Sequence, residues 1–222
     1  MSGAAVDLRA ELVVGLRALD LNLDEDQIQK LLDYQALIEK WNKVYNLTAL
    51  REPAEMLTHH LLDSLAVVGP LLRETGGRPL RLLDVGSGAG LPGVVIAIAC
   101  PHIEVTCVDT VAKKAAFLRQ CSASLGLVNL HGLHARVETL SRGRGEEGFD
   151  VITSRAFSSL PDLVTWSGAA LQVGGVWMAL KGKHPLDELL ALPPEVEVFH
   201  VEPVAVPGLA ADRCIVWMRP RG

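Results

Sequence analysis

The sequence predicts an α/β fold: a mostly parallel sheet of seven strands with helices on both faces, closed by an antiparallel hairpin and preceded by a helical extension. Three observations carry this expectation. From Leu80 onward, apolar runs of strand length alternate with segments of helical period, as parallel strands joined by crossover helices require. A glycine-rich turn over residues 82–93, L-L-D-V-G-S-G-A-G-L-P-G, stands where the first of those strands should leave the sheet. Before Leu80 the apolar spacing is helical throughout.

In order, residues 7–19 suit a short helix, and Asp24 or Asp26 can cap a longer one reaching about Asn42, with Ile28, Leu31, Leu32, Ile38 and Trp41 at helical spacing. A third helical stretch begins near Pro53, with Met56, Leu57, Leu61, Leu65 and Val68 on one face. Residues 1–73 are therefore expected to form an N-terminal helical extension packed on a main domain of residues 80–222, with the paired glycines of residues 75–79 as the joint. Leu80, Leu82, Leu83 and Val85 make the first strand, and Pro92 opens a helix to about Cys100. A strand over residues 103–108 ends in Asp109, and a helix over 112–125 turns Phe117, Leu118, Cys121 and Leu125 inward. Next come a strand over 128–134, a short helix near Val137, a charged loop over 141–148, strands over 149–153 and 175–180, and a helix over 161–171 between them. A helix over 186–190 precedes strands at 196–201 and 214–218, which read as the closing antiparallel pair.

Composition narrows the classes. With 222 residues and 49% hydrophobic content, the chain can bury one sizeable core plus a small extension. Its longest apolar run, residues 94–100, is too short to span a bilayer, and residues 1–7 lack the features of a signal peptide, so a cytoplasmic protein without membrane association is expected. Cys100, Cys107, Cys121 and Cys214 form no C-x-x-C and sit in apolar settings, which suits buried free thiols and implies no metal. A net charge of −5, from 26 acidic and 21 basic residues, argues against indiscriminate binding of naked nucleic acid while leaving room for a local basic face.

The glycine turn is a cradle above a helix start. Gly86, Gly88 and Gly90 can take positive φ and let a ligand lie on bare main chain. G-x-G-x-G spans Gly86 to Gly90, and G-x-G-x-x-G, the dinucleotide fingerprint, spans Gly88, Gly90 and Gly93. The second pattern begins two residues late relative to the strand end, so the first, that of S-adenosylmethionine enzymes, is favoured. Asp109 ends the second strand about 20 residues on, where a carboxylate can accept both ribose hydroxyls of an adenosine; it can also cap the next helix. For Asp84 two readings stay open, contact with the amino group of a methionine moiety or hydrogen bonds to loop amides.

Arg155 ends the fourth strand, at the sheet edge where open parallel sheets place ligands; its plain structural reading is an ion pair. Neighbouring Phe157 could stack on a base while Arg155 contacts a phosphate or a base edge. There is no D-P-P-Y-like or N-P-P-Y-like run after that strand and no Pro-Cys nucleophile, so a ring nitrogen with a free lone pair, such as guanine N7, is the simplest acceptor. His60, beside an apolar helix face, reads first as a satisfied partner of Asp63 or of a carbonyl.

Five motifs, W-N-K-V-Y-N-L-T, H-L-L-D-S, D-V-G-S-G-A-G-L-P-G, F-L-R-Q and S-R-A-F, occur here in the order found in the bacterial RsmG family, formerly called GidB, and the chain resembles that family over residues 27–219. The resemblance implies a Rossmann-like class I S-adenosylmethionine-dependent methyltransferase acting on N7 of a guanine in the decoding region of 16S rRNA (guanine 527 in the family's usual rRNA numbering). It places cofactor contacts on Gly86, Leu91, Val137, Glu138 and Arg155. Asn46, His60, Arg136 and Lys181 match positions that present polar groups to cofactor or RNA. Arg136, Lys181 and Phe157 are taken as RNA-binding, and Arg155, Asn46 and His60 as positioning groups in a reaction without a general base. Asp109-Thr110 departs from the family's frequent Asp-Ser but keeps a hydroxyl. The partner implied is 16S rRNA within the small ribosomal subunit or an assembly intermediate, met by a monomer. Its few basic groups, Lys113, Lys114, Arg136, Arg142, Arg144, Lys181 and Lys183, are interrupted by acids, which argues for RNA presented in a folded particle. An NAD-dependent oxidoreductase and a non-catalytic nucleotide-binding regulator are the alternative classes.

Overall fold

The structure, a computed structural model, describes residues 7–141 and 148–222. Arg142, Arg144 and most of the charged loop expected over residues 141–148 lie outside the described residues.

Local chemistry sets the first helices. Asp7 caps α1 (Leu8–Ala18) by accepting from the Arg9 and Ala10 amides. Asp24 and Gln27 form a reciprocal capping box on α2 (Glu25–Tyr45), which satisfies two amides that a helix start otherwise leaves open. The side-chain nitrogen of Gln27 also donates to the Ile98 and Ala99 carbonyls at 2.9 and 3.2 Å. α2 runs three residues past Asn42 and stops where Asn46 takes φ 49°, a left-handed cap that asparagine tolerates.

The single helical stretch expected from Pro53 is broken. α3 (Pro53–Met56) passes into a π-helical turn (Leu57–Leu62), then α4 (Asp63–Leu65) and α5 (Val68–Thr75). The wide turn and the start of α4 bury His60, Leu61, Leu62 and Asp63 together.

Strands β1 (Leu80–Val85), β2 (Ile103–Asp109), β3 (Leu130–His134), β4 (Phe149–Arg155), β5 (Leu171–Lys181), β6 (Val196–Pro203) and β7 (Cys214–Pro220) form one sheet in the order β3-β2-β1-β4-β5-β7-β6. All neighbours from β3 to β5 are parallel, and β7 is antiparallel to both β5 and β6. The order reverses between β1 and β4, the topological switch point at which such sheets open a crevice at their carboxyl ends.

One sheet face packs on α6 (Gly93–Ala99), α7 (Ala112–Leu125) and the N-terminal helices, in a continuous core that includes Leu12, Tyr34, Leu65, Phe117 and Trp217. The other face packs on α8 (Leu160–Ser167) around Leu83, Ile152, Leu163 and Met218. Each fully buried leucine in the shared core contributes about 2 kcal/mol through lost apolar exposure.

Several boundaries moved. β3 begins at Leu130, because Asn129 is drawn in to bond the Ala97 and Ile103 carbonyls while Val128 is left 91% exposed. β4 reaches Arg155, two residues further than expected, and β5 starts at Leu171, paired with Phe149 ahead of a register shift in β4. α8 therefore ends at Ser167, followed by a single 3-10 turn (Gly168–Ala170). A short helix α9 (Leu186–Leu190) lies between β5 and β6.

Candidate active site

The glycine loop begins as β1 leaves the sheet. Gly86 sits at φ 67°, and a Cβ there would lie 2.5 Å from the Phe157 ring, so the aromatic group rests on bare main chain. Gly90, at φ 92°, faces the other way: a Cβ would strike Val94 and Leu118 at 2.4 and 2.9 Å. Gly90 thus owes its identity to packing under the loop. Tyr34 of α2 reaches the same place and donates its hydroxyl to the Ala89 carbonyl at 2.6 Å.

Asp84 is fully buried. Its Oδ2 accepts from the Gly93 amide at 3.0 Å, Oδ1 has no partner among the described residues, and burial raises its carboxyl to a pKa of about 7. Of the two readings left open, the geometry fits the loop-amide one. Asp109 holds the loop from the side, with Oδ2 accepting from Gly88 at 3.0 Å and Oδ1 from Val111 at 2.8 Å. Lys114 lies 3.8 Å from Oδ2.

A cavity of about 440 Å³ opens beside this loop, walled by Gly86, Asp109, Val137, Glu138, Phe157 and Trp166. It suits an adenosine. An ionised carboxylate has about four acceptor sites, so Asp109 keeps capacity for two hydroxyls beyond its two amides. Phe157 and Trp166 meet edge to face with centroids 5.7 Å apart and supply an apolar wall. Glu138 stands at the rim, its carboxylate held below its usual pKa by its own backbone amide and by Arg136, 2.8 Å away. Leu91 turns its side chain into the core, so only its main chain faces the loop.

A second cavity, of about 450 Å³, lies at the carboxyl ends of β4 and β5 and the start of β7. Arg155 and Ala156 line it while Phe157 lines the first, because Ala156 takes φ 52° and turns successive side chains to opposite sides. Arg155 Nη1 donates to the His59 carbonyl at 2.9 Å and to Asp63 Oδ2 at 2.8 Å, and Arg213 Nε donates to Asp63 Oδ1 at 2.7 Å. His60 shares a 2.9 Å hydrogen bond with Thr48 through Nε2. Burial first, then the Arg155 charge, lowers its pKa to about 4, so it is neutral at pH 7.

Of the residues expected at the site, Gly86, Asp109, Arg136, Val137, Glu138 and Phe157 meet at the first cavity. His60, Arg155 and Lys181 meet at the second. Asn46 joins neither: its side-chain Oδ1 accepts from Arg51 Nη2 at 2.9 Å in a separate recess with Lys43 and Glu39. One expectation needs correction: His60 pairs with Thr48, because Asp63 is taken by two arginines. Phe157 rests on Gly86 and walls the first cavity. Lys181 donates to both carboxylate oxygens of Glu188, at 3.0 and 2.7 Å.

Sequence reasoning missed Trp166, Thr48 and Arg213, and saw Asp63 only as a partner of His60. One signal could have found Asp63, an aspartate inside the apolar run L-L-D-S-L with no lysine or arginine within four residues. Such a carboxylate must find a distant cation.

Comparison with known proteins bears on the whole chain. A profile of the GidB family, described as rRNA small subunit methyltransferase G, matches residues 27–216. The chain is 62% identical to the ribosomal RNA small subunit methyltransferase G of Polaromonas naphthalenivorans strain CJ2, over 99% of each protein. It is 64% identical to the protein of that name from Polaromonas sp. strain JS666, over 99% of this chain and 95% of the relative. Among solved structures, the O-methyltransferase TomG from Streptomyces achromogenes, in complex with SAM, superposes with a TM-score of 0.58 at 15% identity, covering 98% of this chain and 100% of its own. That likeness speaks to the fold, the Rossmann-like sheet of class I methyltransferases. No helix among the described residues is long and apolar enough to cross a membrane.

Proposed function

The chain belongs to the rRNA small subunit methyltransferase G family, and from that premise we propose that it methylates N7 of the decoding-region guanine of 16S rRNA. The observation that carries this reading is the pair of cavities at the strand-order reversal, one with a bare glycine loop and a ribose-ready carboxylate, the other apolar with cations at its edge.

S-adenosylmethionine, the methyl donor, supplies a methyl on a positively charged sulfur when bound. For that group Asp109 would take the ribose hydroxyls, Val137 and Glu138 the adenine edge, and Gly86 would offer main chain. Asp84 holds the loop by its Gly93 bond. At the acceptor, guanine N7 carries an in-plane lone pair and no proton, so no base is required. The residues present agree with that chemistry. His60 is neutral at pH 7 and tied to Thr48, and Arg155 is committed to Asp63. What the protein contributes is alignment of two partners in adjoining cavities.

Charge supports a folded substrate. Arg136 and Lys181, which line the two cavities, are each matched by a glutamate, so the cations not paired off there are too few to hold a long free strand. The test is transfer of tritium from labelled S-adenosylmethionine to small subunits from a strain lacking this enzyme, with the product identified as a nucleoside. Label in 7-methylguanosine, mapped to the decoding-region guanine and faster on subunits or assembly intermediates than on a naked hairpin, is expected. Label in any other nucleoside would overturn the assignment.

A further inference from the structure

The second cavity has apolar walls, from Leu50, Val67, Leu180, Val206 and Ile215, and one charged corner. That corner is built from three distant segments. Asp63, only 5% exposed, comes from the helical extension, Arg155 from the end of β4, and Arg213 from the residue before β7. Sequence separations of 92 and 150 residues close the cluster.

Charge and hydrogen-bond accounting both leave a surplus. One carboxylate faces two guanidiniums, so the corner carries one net positive charge. Each oxygen of Asp63 receives one arginine, and the remaining committed donors go to the His59 and Asp212 carbonyls. Among the described residues, Nη2 of both arginines and Nε of Arg155 make no hydrogen bond. These donors are in fixed directions, because Asp63 clamps both groups. By contrast Lys181, on the same rim, is spent on Glu188.

Resting on the function proposed above, we infer that this cavity receives the acceptor nucleotide in an unstacked state, with Arg213 and Arg155 binding its phosphate and Asp63 acting as the positioning residue for both. The chemistry of the acceptor excludes the commoner use of arginine. A guanidinium reading guanine in bidentate fashion takes O6 and N7 together, and that would occupy the lone pair that must attack the methyl. A phosphate has the charge and the spread of oxygens that two clamped guanidiniums match. The apolar walls then take the face of the purine, as pockets for extruded bases do. Ala156, turning Arg155 into this cavity and Phe157 into the other, would put the base next to the methyl donor.

The test uses the full-length enzyme with Arg213→Gln and Arg213→Lys. For Arg213→Gln, KM for small subunits should rise about tenfold with kcat at saturation nearly unchanged, and the slope of log affinity against log salt should fall by about one. Arg213→Lys should restore the slope and most of the KM. Affinity for S-adenosylhomocysteine, by calorimetry, should be unaltered in both. With that product bound, guanosine monophosphate should bind the wild type more tightly than guanosine does, and Arg213→Gln should erase the difference. Unchanged subunit KM and salt slope in Arg213→Gln would overturn the inference, as would a loss of S-adenosylhomocysteine affinity equal to the loss of activity. Methylation of a nucleoside other than guanosine would instead defeat the assignment of the reaction, while the salt slope would still report the phosphate contact.

Discussion

The two cavities at the carboxyl edge of the sheet are held by opposite kinds of bond. Around the first, the fixed points are main-chain amides: Asp109 holds Gly88 and Val111, and Asp84 holds Gly93, all within 21 residues. Around the second, the fixed points are side-chain charges from segments up to 150 residues apart. A main-chain frame is insensitive to most side-chain changes and intolerant of added bulk. A charge frame is the reverse, since size matters less than the presence of each partner.

The sharpest way to break the comparison is at Gly90. Gly90→Val places atoms on Val94 and Leu118 at a positive φ, and it should cost roughly 4 kcal/mol of stability, read by thermal or urea unfolding. Gly88, also left-handed but with nothing nearer than 3.9 Å, should lose only about 1 kcal/mol on the same change, with cofactor binding the property that suffers. Equal losses of stability would mean that the loop is not packed from beneath. In the charge frame, Asp63→Ala leaves two guanidiniums facing each other and should cost roughly 3 kcal/mol, whereas Asp63→Glu should recover part of it. Full stability of Asp63→Ala in low salt would show that the arginines are held by something else. Asp109→Ala should weaken cofactor binding by on the order of 2 kcal/mol while leaving the second cavity intact, which calorimetry would check.

The smallest effect separates the two frames by sign. His60, at the second cavity, has its pKa lowered from 6.5 to about 4, so between those values the unfolded chain binds the extra proton and this group's contribution to stability rises with pH. Asp84, under the first, has its pKa raised from 3.8 to about 7, so the folded chain binds the extra proton and stability falls as pH rises through that window. The slopes oppose each other from about pH 4 to 6.5. Removing one arm with His60→Gln should leave a variant whose stability, relative to the parent, declines steadily as pH rises over that range. Parallel pH curves for the two proteins would contradict this.

How far the sequence could be read follows the same division. The glycine loop, the strand ends at Asp84 and Asp109 and the alternation of strands and helices were legible, because each rests on neighbours a few residues away. Strand alternation also predicted the closing hairpin, which β6 and β7 form. The Asp63–Arg155–Arg213 cluster was not legible, since no local pattern shows which of 21 basic residues meets a given carboxylate. Arg155 could be placed at a strand end but not given its partner. The π-helical turn escaped for a related reason: Met56, Leu57, Leu61 and Leu65 fit an ordinary helical stripe, so nothing in the local spacing marks a wider turn.

One amide, that of Gln27, joins the ends of two helices. Its oxygen accepts from the amide of Asp24, the N-cap of α2, and its nitrogen donates to the last carbonyls of α6, so the positive end of one peptide dipole is wired to the negative end of another through a neutral group. The two ends are electrically matched without any net charge. Glutamate at this position would keep the cap on α2 but set an anion against the α6 carbonyls, and lysine would do the opposite. An amide, acceptor on one side and donor on the other, is the chemistry that satisfies both ends at once. Since α6 starts where the glycine loop ends, this small device fixes the loop's helix from its far end, remote from either cavity.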